Sequence, residues 1–145
     1  MDLSVVIPMY NETENAEATL GRVEEALVSF QGTYEIIAVD DGSLDNTREI
    51  LDRLAQRNDR IQAVSYARNA GRGMALRKSF QASKGEVVVS IDADLSYDPA
   101  YILDLVETLK REQDVDVVLA SPCLGEGFKM FLSFAYGSAR PATGS

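Results

Sequence analysis

The sequence contains no histidine and one cysteine, Cys123. The first absence removes imidazole as catalytic base and as metal ligand. The second rules out an internal disulfide and fits a reducing compartment. The ordinary reading of Cys123 is a small buried or incidental residue, ahead of a nucleophile. Positive charge is scarce: 14 Lys and Arg stand against 23 Asp and Glu, a formal net charge of −9. Nucleic-acid backbones are held by basic patches, so none is expected as the main partner. Long apolar runs are also missing, none approaching the roughly 20 residues of a membrane-spanning helix. The opening MDLSVVIP has no basic segment, and its apolar stretch is too short for a secretory signal. A cytoplasmic location is therefore expected. Neither an internal repeat nor a low-complexity linker is visible.

What is present is enough for one domain: 145 residues, of which 46% are hydrophobic. The chain centres on Glu86 to Pro99, EVVVSIDADLSYDP. The run from Val87 to Ile91 reads as a strand buried on both faces. It ends abruptly in Asp92 and Asp94. Asp98 and Pro99 then suit the N-cap and first position of a helix. A solvated acidic turn would account for one aspartate. It accounts poorly for two directly beyond a buried strand, where charge is costly unless compensated.

The remaining chain alternates strand and helix. Leu3 to Pro8 reads as a strand, and Asn11 with Glu14 as a capping box for a helix carrying Leu20, Val23, Leu27 and Phe30. Tyr34 to Val39 is a second strand, followed by Asp40-Asp41-Gly42-Ser43 and a helix with Ile50, Leu51 and Leu54. Ile61 to Tyr66 is a third strand. The glycine-rich basic loop Arg68 to Gly73 and a helix with Met74, Leu76 and Phe80 come next. After the central strand, Ile102, Leu105, Val106 and Leu109 form one helical stripe, and Val115 to Ala120 reads as a fifth strand. The order predicts an α/β fold with a mostly parallel sheet, helices on both faces and right-handed crossovers. Residues 128 to 136, FKMFLSFAY, fit strand and helix periodicity equally, and RPATGS reads as a frayed tail.

Parallel strands point their carboxyl ends to one edge, where ligands bind in such sheets. Pro8, Tyr10, Asn11 and Glu12 follow the first strand, Asp40 and Asp41 the second, the Arg68–Gly73 loop the third, and Asp92 and Asp94 the fourth. Carboxylates without nearby His or Cys suit Mg²⁺ or Mn²⁺, which complete their shells with water and substrate phosphates. The glycines of RNAGRG permit close backbone approach, and the next helix offers N–H groups to an anion. Arg68 and Arg72 add cationic donors. Together these features point to a nucleoside-diphosphate ligand. A dinucleotide-binding domain needs G-x-G-x-x-G after strand one, where this chain has PMYNE. A phospho-receiver domain needs its acidic pair after strand one and a lysine after strand five. Here the pair follows strand two, and Ser121-Pro122 follows strand five.

SVVIPMYNE, EIIAVDDGSLDNT, ARNAGRGMALRKSF and VVVSIDADLSYDP, in that order and spacing, resemble the family 2 glycosyltransferases of GT-A fold. Within that family the chain looks most like the dolichyl- or polyprenyl-phosphate mannose synthases, over roughly residues 3 to 127. The resemblance implies a three-layer, Rossmann-like GT-A domain over residues 1–127. It implies that Pro8, Tyr10 and Glu12 hold base and ribose. Asp40 then contacts the nucleoside with Asp41 in support, and Arg72 lies near the diphosphate. Asp92 and Asp94 match the DxD motif, with Asp94 the main metal ligand. Ser96 falls where some synthases carry a metal-binding glutamine.

Two departures stand out. Ser121-Pro122-Cys123 replaces an arginine that many relatives carry after strand five, and the last 18 residues match the family's acceptor region poorly. Residues 128–145 are therefore expected to be an apolar segment and tail, the remnant of a truncated acceptor region. The apolar segment is expected to face a membrane or partner and not to form a sixth core strand. The expected activity is metal-dependent, inverting transfer of a sugar, mannose or glucose foremost. The donor is a GDP- or UDP-sugar and the acceptor a polyprenyl or dolichyl phosphate or another glycan, at the cytoplasmic face of a membrane. The alternative is a non-catalytic nucleotide-sugar-binding module that needs a partner for the acceptor site.

Overall fold

The computed structural model describes residues 1–95, 98–112, 117–119 and 134–137. Six strands and four helices follow one another as β1 (Leu3–Met9), α1 (Ala16–Leu27), β2 (Tyr34–Asp40), α2 (Thr47–Arg57), β3 (Ile61–Ser65), α3 (Arg72–Ala82), β4 (Val87–Ser90), α4 (Tyr101–Arg111), β5 (Val117–Leu119) and β6 (Phe134–Gly137). They build one sheet in the order β3-β2-β1-β4-β6-β5. β1 pairs in parallel with β2 and β4, and β2 in parallel with β3.

Alternation along the strands divides the core between two faces, giving three layers. Leu3, Val5, Ile7 and Met9 of β1 pack with Leu20 and Val23 of α1, Leu51 of α2 and the stripe Ile102, Leu105, Val106 and Leu109 of α4. The intervening Val6 joins Ile37, Val39 and Val88 against Ala75 of α3. The helix stripes read from the sequence are thus the ones that pack, and on α3 Phe80 packs as expected while Met74 does not. There Ala75 and Ser79 are the buried positions and Met74 is 38% exposed. Small residues let α3 lie close to the sheet.

The far side of the sheet departs from expectation. β5 does not lie beside β4; β6 lies between them, antiparallel to both. β5 consequently still runs in the direction of β4. Phe134 to Tyr136 are therefore sheet residues, which corrects the expectation that the apolar segment 128–136 would face outward; its residues 128–133 lie outside the described residues. The backbone supplies the reason. The free edge of β4 carries N–H and C=O groups that a neighbouring strand must satisfy, and periodicity alone does not report that demand.

The opposite, amino-terminal edge of the sheet is held by a buried polar knot. The Ser4 hydroxyl donates to Glu35 Oε1 at 2.6 Å, the Lys84 N–H donates to the same oxygen at 2.7 Å, and the Gly85 N–H donates to Ser4 Oγ at 2.8 Å. The approach at Gly85 is so close that an added Cβ would lie 2.4 Å from the Ser4 nitrogen and 2.6 Å from the Leu3 carbonyl carbon. Backbone atoms cannot yield as a flexible side chain would. Gly85→Ala is therefore expected to destabilise the fold by about 1–3 kcal/mol, lowering the melting temperature by several degrees in a thermal scan.

Candidate active site

Three loops at the carboxyl edge of the sheet are tied together by the segment after β2. The Asn11 N–H donates to Ser43 Oγ at 2.9 Å, and Asn11 Oδ1 accepts from the Leu44 N–H at 2.9 Å. Asn11 adopts φ of 52°, a left-handed conformation that asparagine tolerates. The expected capping box is therefore absent: α1 starts at Ala16, and Asn11 serves as a brace between loops. The Glu12 N–H donates to Thr47 Oγ1 at 2.8 Å, and the Thr13 N–H to Asp45 Oδ2 at 3.3 Å.

Asp41 makes the second tie. It is 4% exposed. Its Oδ1 accepts from the Tyr66 hydroxyl at 2.5 Å and the Ala70 N–H at 2.9 Å. Its Oδ2 accepts from the Asn69 amide at 3.0 Å and the Gly71 N–H at 3.1 Å. Burial, then the hydrogen bond to Asp41, then the charges of Asp41 and Asp40 push the Tyr66 hydroxyl well above its ordinary range, so it stays a donor. Gly42, at φ of 66°, lies against this loop; a Cβ there would be 2.3 Å from the Arg68 carbonyl carbon. Two N–H groups of the glycine-rich loop, expected to face a ligand anion, are thus already occupied by Asp41. Arg72, Gly73 and Met74 remain as the first turn of α3, which has no side-chain cap.

The turn after β4 is the third component. The Leu95 N–H donates to the Asp92 carbonyl at 3.2 Å, and the Thr19 hydroxyl of α1 donates to the Ala93 carbonyl at 2.7 Å. Leu95 is held at φ of 52°, costly for a residue with a Cβ and tolerated only where the surroundings fix it. Arg72 Nη2 lies 2.5 Å from Asp92 Oδ1. The Asp92 carboxyl is pushed up by burial, drawn back by Arg72 and pushed up again by the charge of Asp94.

These loops enclose an open cavity of about 450 Å³, within the usual range of small-ligand sites. Pro8, Tyr10, Glu12, Asp41, Arg72, Asp92 and Asp94 all line it. Asp40 does not. It is 1% exposed, and its Oδ1 accepts the Ser43 N–H at 3.1 Å. The expected division of work between the two aspartates is therefore corrected: Asp41 lines the cavity, and Asp40 fixes the turn beneath it. Ser96 lies outside the described residues. Thr19, Tyr66 and Asn69 were not singled out in the sequence. Their roles depend on hydrogen bonds between distant segments, which periodicity does not signal.

A hard divalent cation fits the donor set. Asp92 and Asp94 offer only oxygen, and among the described residues no thiol or imidazole lines the cavity. No group of three or more acidic, His or Cys side chains gathers among the described residues. Such a cation would then take two protein ligands and leave positions for water and phosphate, the usual state of Mg²⁺ sites.

Asp45 gives the loop assembly a pH dependence. Burial raises its carboxyl, but hydrogen bonds from Thr13 and Thr47 outweigh this and bring it from 3.8 down to about 2. A depressed carboxyl contributes stability above its unfolded value and loses it as pH falls through the folded one. Asp45 is exposed, so solvent screening limits that contribution to about 1 kcal/mol or less. Asp45→Asn should therefore be less stable than wild type above pH 3.8, with the difference vanishing as pH falls to about 2. Denaturant titrations across that range check it.

Comparison with known proteins supplies the class. The model of glycosyl transferase family 2 matches residues 4–134. An uncharacterized glycosyltransferase of Synechocystis sp. is 41% identical over 121 residues, covering 83% of this chain and 37% of that protein. An undecaprenyl-phosphate 4-deoxy-4-formamido-L-arabinose transferase of Edwardsiella ictaluri is 43% identical over 114 residues, 78% of this chain and 35% of that one. The chain thus spans about a third of the length of these relatives. A mannosyltransferase of Pyrobaculum calidifontis, solved with GDP-Man and Mn²⁺, shares the fold at a TM-score of 0.72 and 21% identity, over 93% of this chain and 44% of that one. Glucosyl-3-phosphoglycerate synthase of Mycobacterium tuberculosis, solved with Mn²⁺, UDP and phosphoglyceric acid, gives 0.69 at 25% identity over 94% and 55%. The fold is that of the GT-A glycosyltransferases. With the family model running from β1 into β6, the chain belongs to glycosyltransferase family 2.

Proposed function

We propose that this chain is the donor-binding part of a metal-dependent, inverting glycosyltransferase that acts on a polyprenyl phosphate. The observation that carries the reading is the joint placement of Tyr10, Glu12, Asp41, Arg72, Asp92 and Asp94 around one cavity. Tyr10 and Glu12 hold the base and ribose, with Asp41 in support through the loop it ties down. Arg72 takes the diphosphate as a charge-assisted donor. Asp92 and Asp94 hold the divalent cation, whose bound charge stabilises the departing diphosphate. Ser96 is kept as a third candidate ligand. Inversion follows when the acceptor attacks the anomeric carbon from the side opposite the diphosphate. A phosphate acceptor is already anionic and needs no general base, which suits a site without histidine.

The lipid acceptor is supported by the undecaprenyl-phosphate relative of Edwardsiella ictaluri. On this reading the protein works at the cytoplasmic face of a membrane. No helix among the described residues is long and apolar enough to cross one, so contact there is peripheral for this part of the chain. Mannose or glucose is the proposed sugar, carried on GDP or UDP. A second reading is a module that binds the nucleotide sugar without turning it over by itself. The same lining supports it, since Tyr10, Glu12, Arg72, Asp92 and Asp94 are all assigned to donor or metal. Turnover with a polyprenyl-phosphate acceptor separates the two.

The binding reading is tested by thermal shift with GDP- and UDP-sugars, with and without Mn²⁺. A ligand at about 100 times its dissociation constant should stabilise the wild type by roughly 2.7 kcal/mol. Asp94→Ala should keep the fold and lose the metal-dependent part of that shift. Equal shifts in mutant and wild type under all conditions would remove Asp94 from the metal site.

A further inference from the structure

Arg72 is the only basic residue among the described residues lining the cavity, facing Glu12, Asp41, Asp92 and Asp94. The other acids have partners of their own. Asp41 is saturated by donors from the β3–α3 loop. Glu12 Oε2 accepts from the Asn15 amide at 3.1 Å. Arg72 is spent on Asp92, at 2.5 Å. The two ends of that ion pair differ in freedom. The Arg72 side chain is 49% exposed at the start of a helix, while the Asp92 side chain is 16% exposed on a turn held by the Leu95 and Thr19 hydrogen bonds. The arginine is the partner that can leave.

We propose that Arg72 and the divalent cation are alternative partners of Asp92, so that binding of the metal displaces the guanidinium and binding of a nucleoside diphosphate gives it a new anion. This rests on the reading of Asp92 and Asp94 as the metal site. The guanidinium already sits on one oxygen of Asp92, Oδ1, and a metal ion on the same carboxylate would lie against a like charge and be strongly repelled. Metal without nucleotide must therefore break the ion pair and leave Arg72 facing a second cation. Metal with a diphosphate would instead give each cation an anionic partner: the metal on the aspartates and phosphate, the guanidinium on phosphate. The same residue opposes the lone metal and favours the metal–nucleotide complex. That makes Arg72 a source of positive coupling between the two ligands, and the coupling is reciprocal. It also keeps a partly buried carboxylate from standing unpaired while the site waits. An arginine that only gripped the diphosphate would act on lone metal through space alone, and equally with or without the Asp92 carboxylate.

The experiment is a Mn²⁺ titration followed by the electron paramagnetic resonance signal of free Mn²⁺. It uses wild type, Arg72→Met, Arg72→Lys, Asp92→Asn, Asp94→Ala and the double variant Arg72→Met/Asp92→Asn, each without nucleotide and then with GDP or UDP. Arg72→Met should bind Mn²⁺ alone about tenfold more tightly than wild type. The enhancement of Mn²⁺ affinity by the nucleotide should fall by about the same factor. Arg72→Lys keeps the charge without the fork and should lie between. The gain should be absent when Asp92→Asn is the background, which ties it to this ion pair. Unchanged or weaker binding of Mn²⁺ alone by Arg72→Met, alongside loss of binding in Asp94→Ala, would overturn the displacement while leaving the metal site standing. Equal Mn²⁺ binding by wild type and Asp94→Ala would overturn the metal-site reading, and the displacement with it.

Discussion

The carboxylate of Asp41 is the constraint on which the site's architecture depends. A buried charge is tolerated only when donors replace the water it loses. Asp41 obtains them from Tyr66, Asn69, Ala70 and Gly71, all on the segment between β3 and α3. Its own N–H donates to the Met9 carbonyl at 2.8 Å, at the end of β1. One residue thus fixes three consecutive strand ends relative to each other. Removing it would strand two backbone N–H groups and a tyrosine hydroxyl at once, so the loop could not keep its path to α3. The start of α3, and with it the position of Arg72, follows from where Asp41 stands.

A second fixed point lies on the other side of the cavity. Thr19 reaches from α1 to the carbonyl between Asp92 and Asp94, and Leu95 accepts a left-handed backbone to close the turn. Strain of this kind persists only where packing over-determines it. Val89 and Ile91, both 0% exposed, provide that packing just upstream. The two aspartates therefore sit on a rigid mount, whereas Arg72 approaches on a long, half-exposed side chain. The contrast between fixed acids and a movable base allows one site to present different charge arrangements at small structural cost.

Much of this could be read before the fold was known, because it rests on local signals. The apolar run Val87–Ile91 broken by Asp92 and Asp94 marks both a buried strand and its ligand-facing end. The stripes on α1, α2 and α4 identified the helix faces that pack. What escaped the sequence was non-local. β6 enters beside β4 because a strand edge requires a partner, a need that Phe134 to Tyr136 do not announce by pattern. Asp40 and Asp41 are chemically identical and adjacent, so only the course of the chain after β2 decides which one lines the cavity. The RNAGRG loop looked like a bed for a ligand anion. In the fold an internal anion, Asp41, takes the Ala70 and Gly71 donors, and glycine is required where Gly71 adopts φ of 89° and where Gly42 presses on Arg68.

The charge balance of the site bears on why a cation belongs to the proposed reaction. A chain of net charge −9 whose cavity is lined by four carboxylates and one guanidinium is a poor host for a diphosphate by itself. Hydrogen bonds satisfy Asp41 and Glu12 but do not remove their charge. Arg72 cannot balance Asp92, Asp94 and the incoming phosphates together. A divalent cation held by Asp92 and Asp94 would reverse the sign of the local field where the ligand must sit. Carboxylate oxygens are the hard ligands such an ion takes, and Asp92 and Asp94 bring them to this cavity. The acidity that argues against a nucleic-acid partner for the chain is thus the same property that makes a metal-bridged nucleotide the fitting ligand for the site.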